Sequence, residues 1–187
     1  SAAMLNSVRD GKNYDLVNQY LMLSNQYSKA NYSYGDATFL INHDTKRLIN
    51  ELDYDKEKAK LAVSILMTFP GSPFIYYGEE LGYEAEWPLL WLPMLWDEPG
   101  KEPGQTSWIL GDSTIKNGIL TVKYDKRKVS QFIPLSLQQK DSSSIFHFYR
   151  KLIRLRTSSV ALTDGNLIKS EYNDQQILSF KREHENE

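Results

Sequence analysis

The chain has 187 residues, of which 41% are hydrophobic and 25% charged, a length and balance that suit about one domain with a sizeable core and argue against a disordered or fibrous polymer. With 22 Lys and Arg against 24 Asp and Glu, the net charge of −2 argues against a polybasic nucleic-acid or membrane-surface binder. The lack of cysteine removes a disulfide framework, a thiolate metal site and a cysteine nucleophile together. No stretch approaches the roughly 18 apolar residues of a membrane span. Ser1-Ala2-Ala3-Met4 carries no basic region followed by an apolar core, so no signal peptide is legible and localisation stays open.

After the breaker Gly11-Lys12-Asn13, the residues Leu16, Val17, Tyr20, Leu21, Leu23 and Tyr27 recur at helical spacing and predict a helix over Tyr14 to Tyr27. Thr38-Phe39-Leu40-Ile41 reads as a short buried strand that delivers the polar group Asn42-His43-Asp44 at its C-terminal end. A second helix is expected from Asp55 to Phe69, stopped by Pro70-Gly71, and a second buried strand at Phe74-Ile75-Tyr76-Tyr77, ending at Glu79-Glu80. Strand, helix, strand with apolar strands is the pattern of a βαβ unit in a parallel sheet. Tyr83 to about Gln139 holds all four Trp and five of the seven Pro, and reads as one long irregular loop. Asp141-Ser142-Ser143-Ser144 supplies N-caps for a helix from Ile145 to about Arg156, whose basic last turn suits its own dipole. Beyond Gly165, Asn166 to Lys169 and Gln176 to Lys181 alternate as a hairpin of half-exposed strands.

Asn42-His43-Asp44 stands where parallel α/β proteins place reacting groups, outside the carboxyl end of a strand. A carboxylate there can stabilise a cationic transition state, and a neutral imidazole can bind a hydroxyl. The alternative is that Asp44 caps the next helix while His43 packs against the sheet. Glu79 and Glu80 admit an acid/base role or a structural one at a helix start, the latter carrying more weight. If Tyr76 and Tyr77 alternate across a strand, at most one can face a pocket. The run from Trp87 to Asp97 combines flat rings with a carboxylate, as sugar-binding surfaces do; a loop pinned down by buried aromatics explains it equally well.

In this order the segments resemble the second half of an α-amylase family glycoside hydrolase. Phe39-Leu40-Ile41-Asn42-His43-Asp44 with Arg47 resembles the signature at the end of that family's seventh barrel strand. Phe69 to Gly82 resembles its turn and eighth strand and is the most specific match; Pro93-Met94-Leu95-Trp96-Asp97 and Ser144 to Arg156 resemble the following loop and last helix. The resemblance implies an α/β fold: the last βα units of a (β/α)8 TIM barrel over residues 1–160, then the start of a C-terminal β-sandwich domain over 161–187. It implies retaining hydrolysis of α-glucosidic linkages in starch, maltodextrins or related oligosaccharides. Asp44 would be the transition-state stabiliser, with His43, Arg47 and Asn42 as substrate-binding residues. The nucleophile and the acid/base would lie upstream, since no segment before Phe39 resembles either.

A complete barrel needs about 200 residues at the least, so the resemblance implies a fragment, inactive alone and expected to self-associate through open sheet edges. Leu95 stands where many relatives have Gln, and the stretch after Gly104 departs from the usual aromatic pattern, leaving linkage specificity open. An α-glucosidase, sucrose isomerase or transglycosylase, or a non-catalytic interaction module of the same family, are the rival readings. No cofactor is expected. His43, His147 and His184 are not spaced as metal ligands, and any calcium would belong to parts of the barrel outside these residues. The expected partner is an α-glucan or oligosaccharide, with no nucleic acid and no membrane.

Overall fold

The computed structural model describes residues 2–30, 35–87, 89–97, 112–125, 128–172 and 174–185. In chain order these form α1 (Ala2–Asp10), α2 (Leu16–Ser28), β1 (Ala37–Phe39), α3 (Leu48–Glu51), α4 (Lys56–Thr68), β2 (Ser72–Phe74), β3 (Asp112–Lys116), β4 (Ile119–Asp125), β5 (Lys128–Phe132), α5 (Leu135–Gln138), α6 (Ile145–Ser158), α7 (Val160–Thr163), β6 (Asn166–Lys169) and β7 (Phe180–Glu183). Two 3-10 turns, Glu79–Leu81 and Leu89–Trp91, lie between β2 and β3. The chain divides into two compact units, one comprising Ser1–Leu40, Glu57–Phe74 and Leu152–Glu187, the other Ile41–Lys56 and Ile75–Lys151.

In the first unit β1 and β2 pair in parallel, Ala37 opposite Ser72 and Phe39 opposite Phe74. The chain between them passes through α3 and α4, so the expected βαβ connection is present. Helix α4 forms because Ala59, Ala62, Val63, Leu66 and Met67 recur at intervals of three and four and are buried, while Leu61 on the opposite side is exposed. Two guanidinium groups from distant segments satisfy its last carbonyls. Arg156 donates to Met67 O at 2.7 Å, Phe69 O at 2.9 Å and Gly71 O at 2.6 Å, and Arg182 donates to Thr68 O at 2.9 Å. Arg156 thus serves the end of another helix, where its sequence position had suggested a dipole role in α6. The turn that follows needs Gly71, at φ +101°, because a Cβ there would lie 2.7 Å from Asp36 O. That carbonyl accepts the Ser72 amide at 2.7 Å and opens the β1–β2 ladder. Strand β2 ends at Phe74, three residues before the sequence predicts, because its ladder with the three-residue β1 ends there; Phe74 is 60% exposed. Strands β6 and β7 pair antiparallel as expected, Asn166 opposite Glu183 and Lys169 opposite Phe180, but β7 begins at Phe180, four residues after the start the sequence predicts.

In the second unit the stretch read as an irregular loop contains a three-stranded antiparallel sheet, β3-β4-β5. Asn117 and Gly118, both at positive φ, make the two-residue turn between β3 and β4. Leu120, Val122 and Phe132 from this sheet pack with Leu81, Tyr83, Ala85, Leu89, Leu92 and Leu95 in one apolar cluster. At roughly 1.5–3 kcal/mol for each large side chain removed from water, this cluster fixes the path of the chain from Leu81 to Leu95. Pro88 and residues 98–111, with Trp108 and the stretch after Gly104, lie outside the described residues.

Candidate functional site

The chain leaves β1 through buried Leu40 and Ile41 and turns immediately. The turn is built by Asn42 and Thr45: Asn42 Oδ1 accepts the Asp44 amide at 2.9 Å, and the Thr45 hydroxyl accepts the Asn42 amide at 3.0 Å while donating to Asn42 O at 3.1 Å. This leaves His43 and Asp44 pointing to solvent, with side chains 67% and 74% exposed and Nε2 and Oδ2 3.3 Å apart. Asp44 therefore does not cap a helix; α3 begins only after Arg47. Of the four predicted site residues, His43 and Asp44 present their polar groups outward, and Asn42 holds the turn that does so.

Arg47 is placed differently. Its side chain is 1% exposed, and its guanidinium donates to Tyr77 O and, at 2.6 Å, to Leu90 O. The same group stacks over the rings of Tyr76 at 4.5 Å, Tyr77 at 4.8 Å and Tyr83 at 5.6 Å. Its backbone amide donates to Ala85 O at 3.3 Å. Arg47 is thus a buried brace under the turn, binding backbone from two later segments. Tyr76 and Tyr77 both reach it, because the strand that would have sent them to opposite faces ends at Phe74.

Glu79 is 2% exposed and accepts the Tyr149 hydroxyl at 2.7 Å, while its Oε2 has no hydrogen-bond partner. Burial raises the carboxyl from 4.5 to about 7; the Tyr149 hydrogen bond pulls it down, nearby Glu80 pushes it up and Arg47 pulls it down. This supports the structural reading of Glu79. It follows Gly78, at φ +81°, where a Cβ would meet the Tyr83 ring at 2.5 Å.

The aromatic loop answers to neither of its two readings alone. Leu89, Leu90, Leu92 and Leu95 are buried and pin it, while Trp87, Trp91 and Trp96 are 64%, 51% and 53% exposed. Trp91 Nε1 donates to His43 O at 2.9 Å, and its ring meets Trp87 edge to face, centroids 4.9 Å apart. Within the run Trp87 to Asp97, these two residues are the ones the structure brings next to the turn that carries His43 and Asp44. Among the described residues no group of three His, Cys, Asp or Glu is placed to hold a metal ion, and no helix is long and apolar enough to cross a membrane.

One exposed carboxylate next to an imidazole, at the end of a parallel strand, can stabilise positive charge and bind hydroxyls; it cannot by itself supply the two carboxyl groups about 5 to 5.5 Å apart that retaining glycoside hydrolysis uses. Comparison with known proteins gives the context. The chain is 33% identical over 190 residues to alpha-amylase 3 of Dictyoglomus thermophilum, covering all of this chain and 35% of that protein. It is 36% identical over 163 residues to the alpha-amylase SusG of Bacteroides thetaiotaomicron, covering 86% of this chain and 22% of that one. The solved alpha-amylase from H. orenii superposes with a TM-score of 0.76 at 26% identity, over 99% of this chain and 35% of that one. The chain therefore spans about a third or less of the length of these relatives. Since the model of the alpha-amylase catalytic domain matches residues 3–165, the expected α/β barrel fold is the right one, and the chain belongs to the alpha-amylase family.

Proposed function

We propose that this chain supplies the seventh- and eighth-strand portion of a retaining glycosidase that cleaves α-glucosidic linkages in starch-derived oligosaccharides, with residues 1–160 belonging to the barrel and 161–187 opening a C-terminal β domain. The observation that carries this reading is the exposed His43–Asp44 pair, held outward by the Asn42 turn directly after β1. In this role Asp44 stabilises the positive charge that develops on the sugar ring in the transition state. His43 binds hydroxyls of the same sugar, Asn42 fixes the angle at which both are presented, and Arg47 positions them from below. The nucleophile and the acid/base come from other residues of the protein.

The test is Asp44→Asn in the full-length protein with maltohexaose as substrate. Turnover falls about 100- to 1,000-fold or more, as when a group aimed at transition-state charge is removed, while the thermal midpoint stays within about a degree because the side chain is 74% exposed and touches only His43 among the contacts described. Full turnover in Asp44→Asn refutes the role. The 187-residue chain alone hydrolyses nothing; turnover by it that vanishes in Asp44→Asn would refute the assignment of the other two carboxylates elsewhere. Product analysis of the full-length protein separates hydrolysis from transglycosylation or isomerisation.

A further inference from the structure

The geometry points to Trp87 and Trp91 as a stacking platform for a glucosyl ring of the same α-glucan, one that sets affinity for longer oligosaccharides; this rests on the glycosidase reading of Asp44. The two indoles are 64% and 51% exposed although the residues between and beside them, Leu89 and Leu90, are buried. Burial in the loop's apolar anchor therefore does not account for the indoles, and exposing two of the largest apolar side chains as a contiguous pair calls for an explanation that scattered exposed residues do not. Their rings meet edge to face at 88°, which leaves most of both indoles open to solvent at 64% and 51% exposure. The apolar C–H face of a pyranose fits such a surface, leaving its hydroxyls to water and polar side chains.

What ties the pair to the site is the number of connections between its loop and the turn that carries Asp44. Trp91 donates its one polar hydrogen to His43 O at 2.9 Å, which fixes the ring's rotation. Arg47 donates from its backbone to Ala85 O and from its guanidinium to Leu90 O, on either side of Trp87. Lys46 and Glu86 form an ion pair at 3.4 Å. The segments 43–47 and 85–91 thus move as one piece, and a sugar on the indoles is held at a fixed distance from a sugar at Asp44. Affinity gained this way requires a substrate long enough to reach both.

The experiment compares Trp87→Ala, Trp91→Ala, Trp87→Phe and Trp91→Phe in the full-length protein, with KM and kcat measured on maltotriose and on maltohexaose, and circular dichroism to establish folding. Each Ala variant raises KM for maltohexaose about tenfold, with a smaller rise for maltotriose and the loss falling on KM more than on kcat. Trp91→Phe loses the bond to His43 O as Trp91→Ala does but keeps an aromatic face, so it recovers most of the affinity. Calorimetric titration of maltohexaose into the same variants carried on Asp44→Asn shows the same order of affinities. Unchanged KM in both Ala variants, or a Phe variant no better than Ala at each position, overturns the platform and leaves Asp44 untouched. A wild-type protein that turns over no maltooligosaccharide, or an Asp44→Asn protein with full turnover, overturns the underlying reading and the platform with it.

Discussion

Burial of the Glu79 carboxyl makes a measurable demand on stability, and replacing it by Gln tests the account. It is 2% exposed and accepts a hydrogen bond from the Tyr149 hydroxyl, and the Tyr76 backbone also favours its charged form. Burial raises its pKa from 4.5 to about 7. Between those two values the folded state binds more protons than the unfolded state, so stability falls as pH rises. The contribution is fully present below pH 4.5 and lost as pH passes 7. A difference of 7 less 4.5 at 1.36 kcal/mol per unit comes to about 3 kcal/mol. Glu79→Gln keeps the volume and an oxygen for the Tyr149 hydroxyl but cannot ionise. Urea unfolding of both proteins from pH 4.5 to 8.5 then gives nearly equal stability at the acid end and a Gln variant about 3 kcal/mol more stable than wild type at the alkaline end. The difference between the two curves isolates this group from Glu80 and Glu84, whose pKa values burial also raises. In Tyr149→Phe the fall moves to higher pH, since the lost bond favoured the charged form. Parallel wild-type and Gln curves across the range refute the claim that Glu79 is held neutral by burial.

Removing the guanidinium in Arg47→Met strands Tyr77 O and Leu90 O and costs about 3 kcal/mol or more; a loss below about 1 kcal/mol by urea unfolding contradicts the bracing role. Arg156→Met strands the Met67 carbonyl in the last turn of α4 and those of Phe69 and Gly71 in the turn after it, and lowers stability by about 2 to 4 kcal/mol, with amide exchange at Phe69 and Ser72 rising first; protection unchanged at those amides counts against it. The isolated 187-residue chain self-associates, because β1 and β2 pair only with each other among the described residues and Phe74 is 60% exposed; a strictly monomeric sedimentation profile over a hundredfold concentration range is the contrary result.

The parallel pair was legible in part: Thr38-Phe39 lies in β1 and Pro70-Gly71 marks the turn between helix and strand, but the apolar run Phe74 to Tyr77 overlaps β2 only at Phe74, because the ladder with the three-residue β1 begins at Ser72 and ends there. Helix α1 was passed over although Met4, Leu5 and Val8, all buried, lie one turn apart and Gly11 follows at φ +63°. Its nine residues offer too few repeats for the period to stand out. The sheet β3-β4-β5 was missed for a different reason. Asn117-Gly118 between Thr114-Ile115 and Ile119-Leu120 is a strong local hairpin signal, but the surrounding Pro and Trp residues made the whole stretch read as loop. Composition over fifty residues concealed a signal carried by two.

The candidate site divides the same way. Asn42, His43 and Asp44 were legible because their arrangement is local: one side chain closes the turn that exposes the other two. The resemblance offered Arg47 as a substrate-binding residue, whereas its guanidinium is buried on partners 30 and 43 residues further along, at Tyr77 and Leu90. No pattern within a segment reports that a cation will be buried under carbonyls from two later ones. That burial also explains why a charged side chain stands here at all. An aliphatic residue could fill the volume, but it could not bond two carbonyls and set a cation against three tyrosine rings. The bonds of Asn42 and Thr45 close the turn locally and the buried Arg47 beside it ties the segment to the carbonyls of Tyr77 and Leu90, so the exposed Asp44 carboxylate stands in water on a braced backbone.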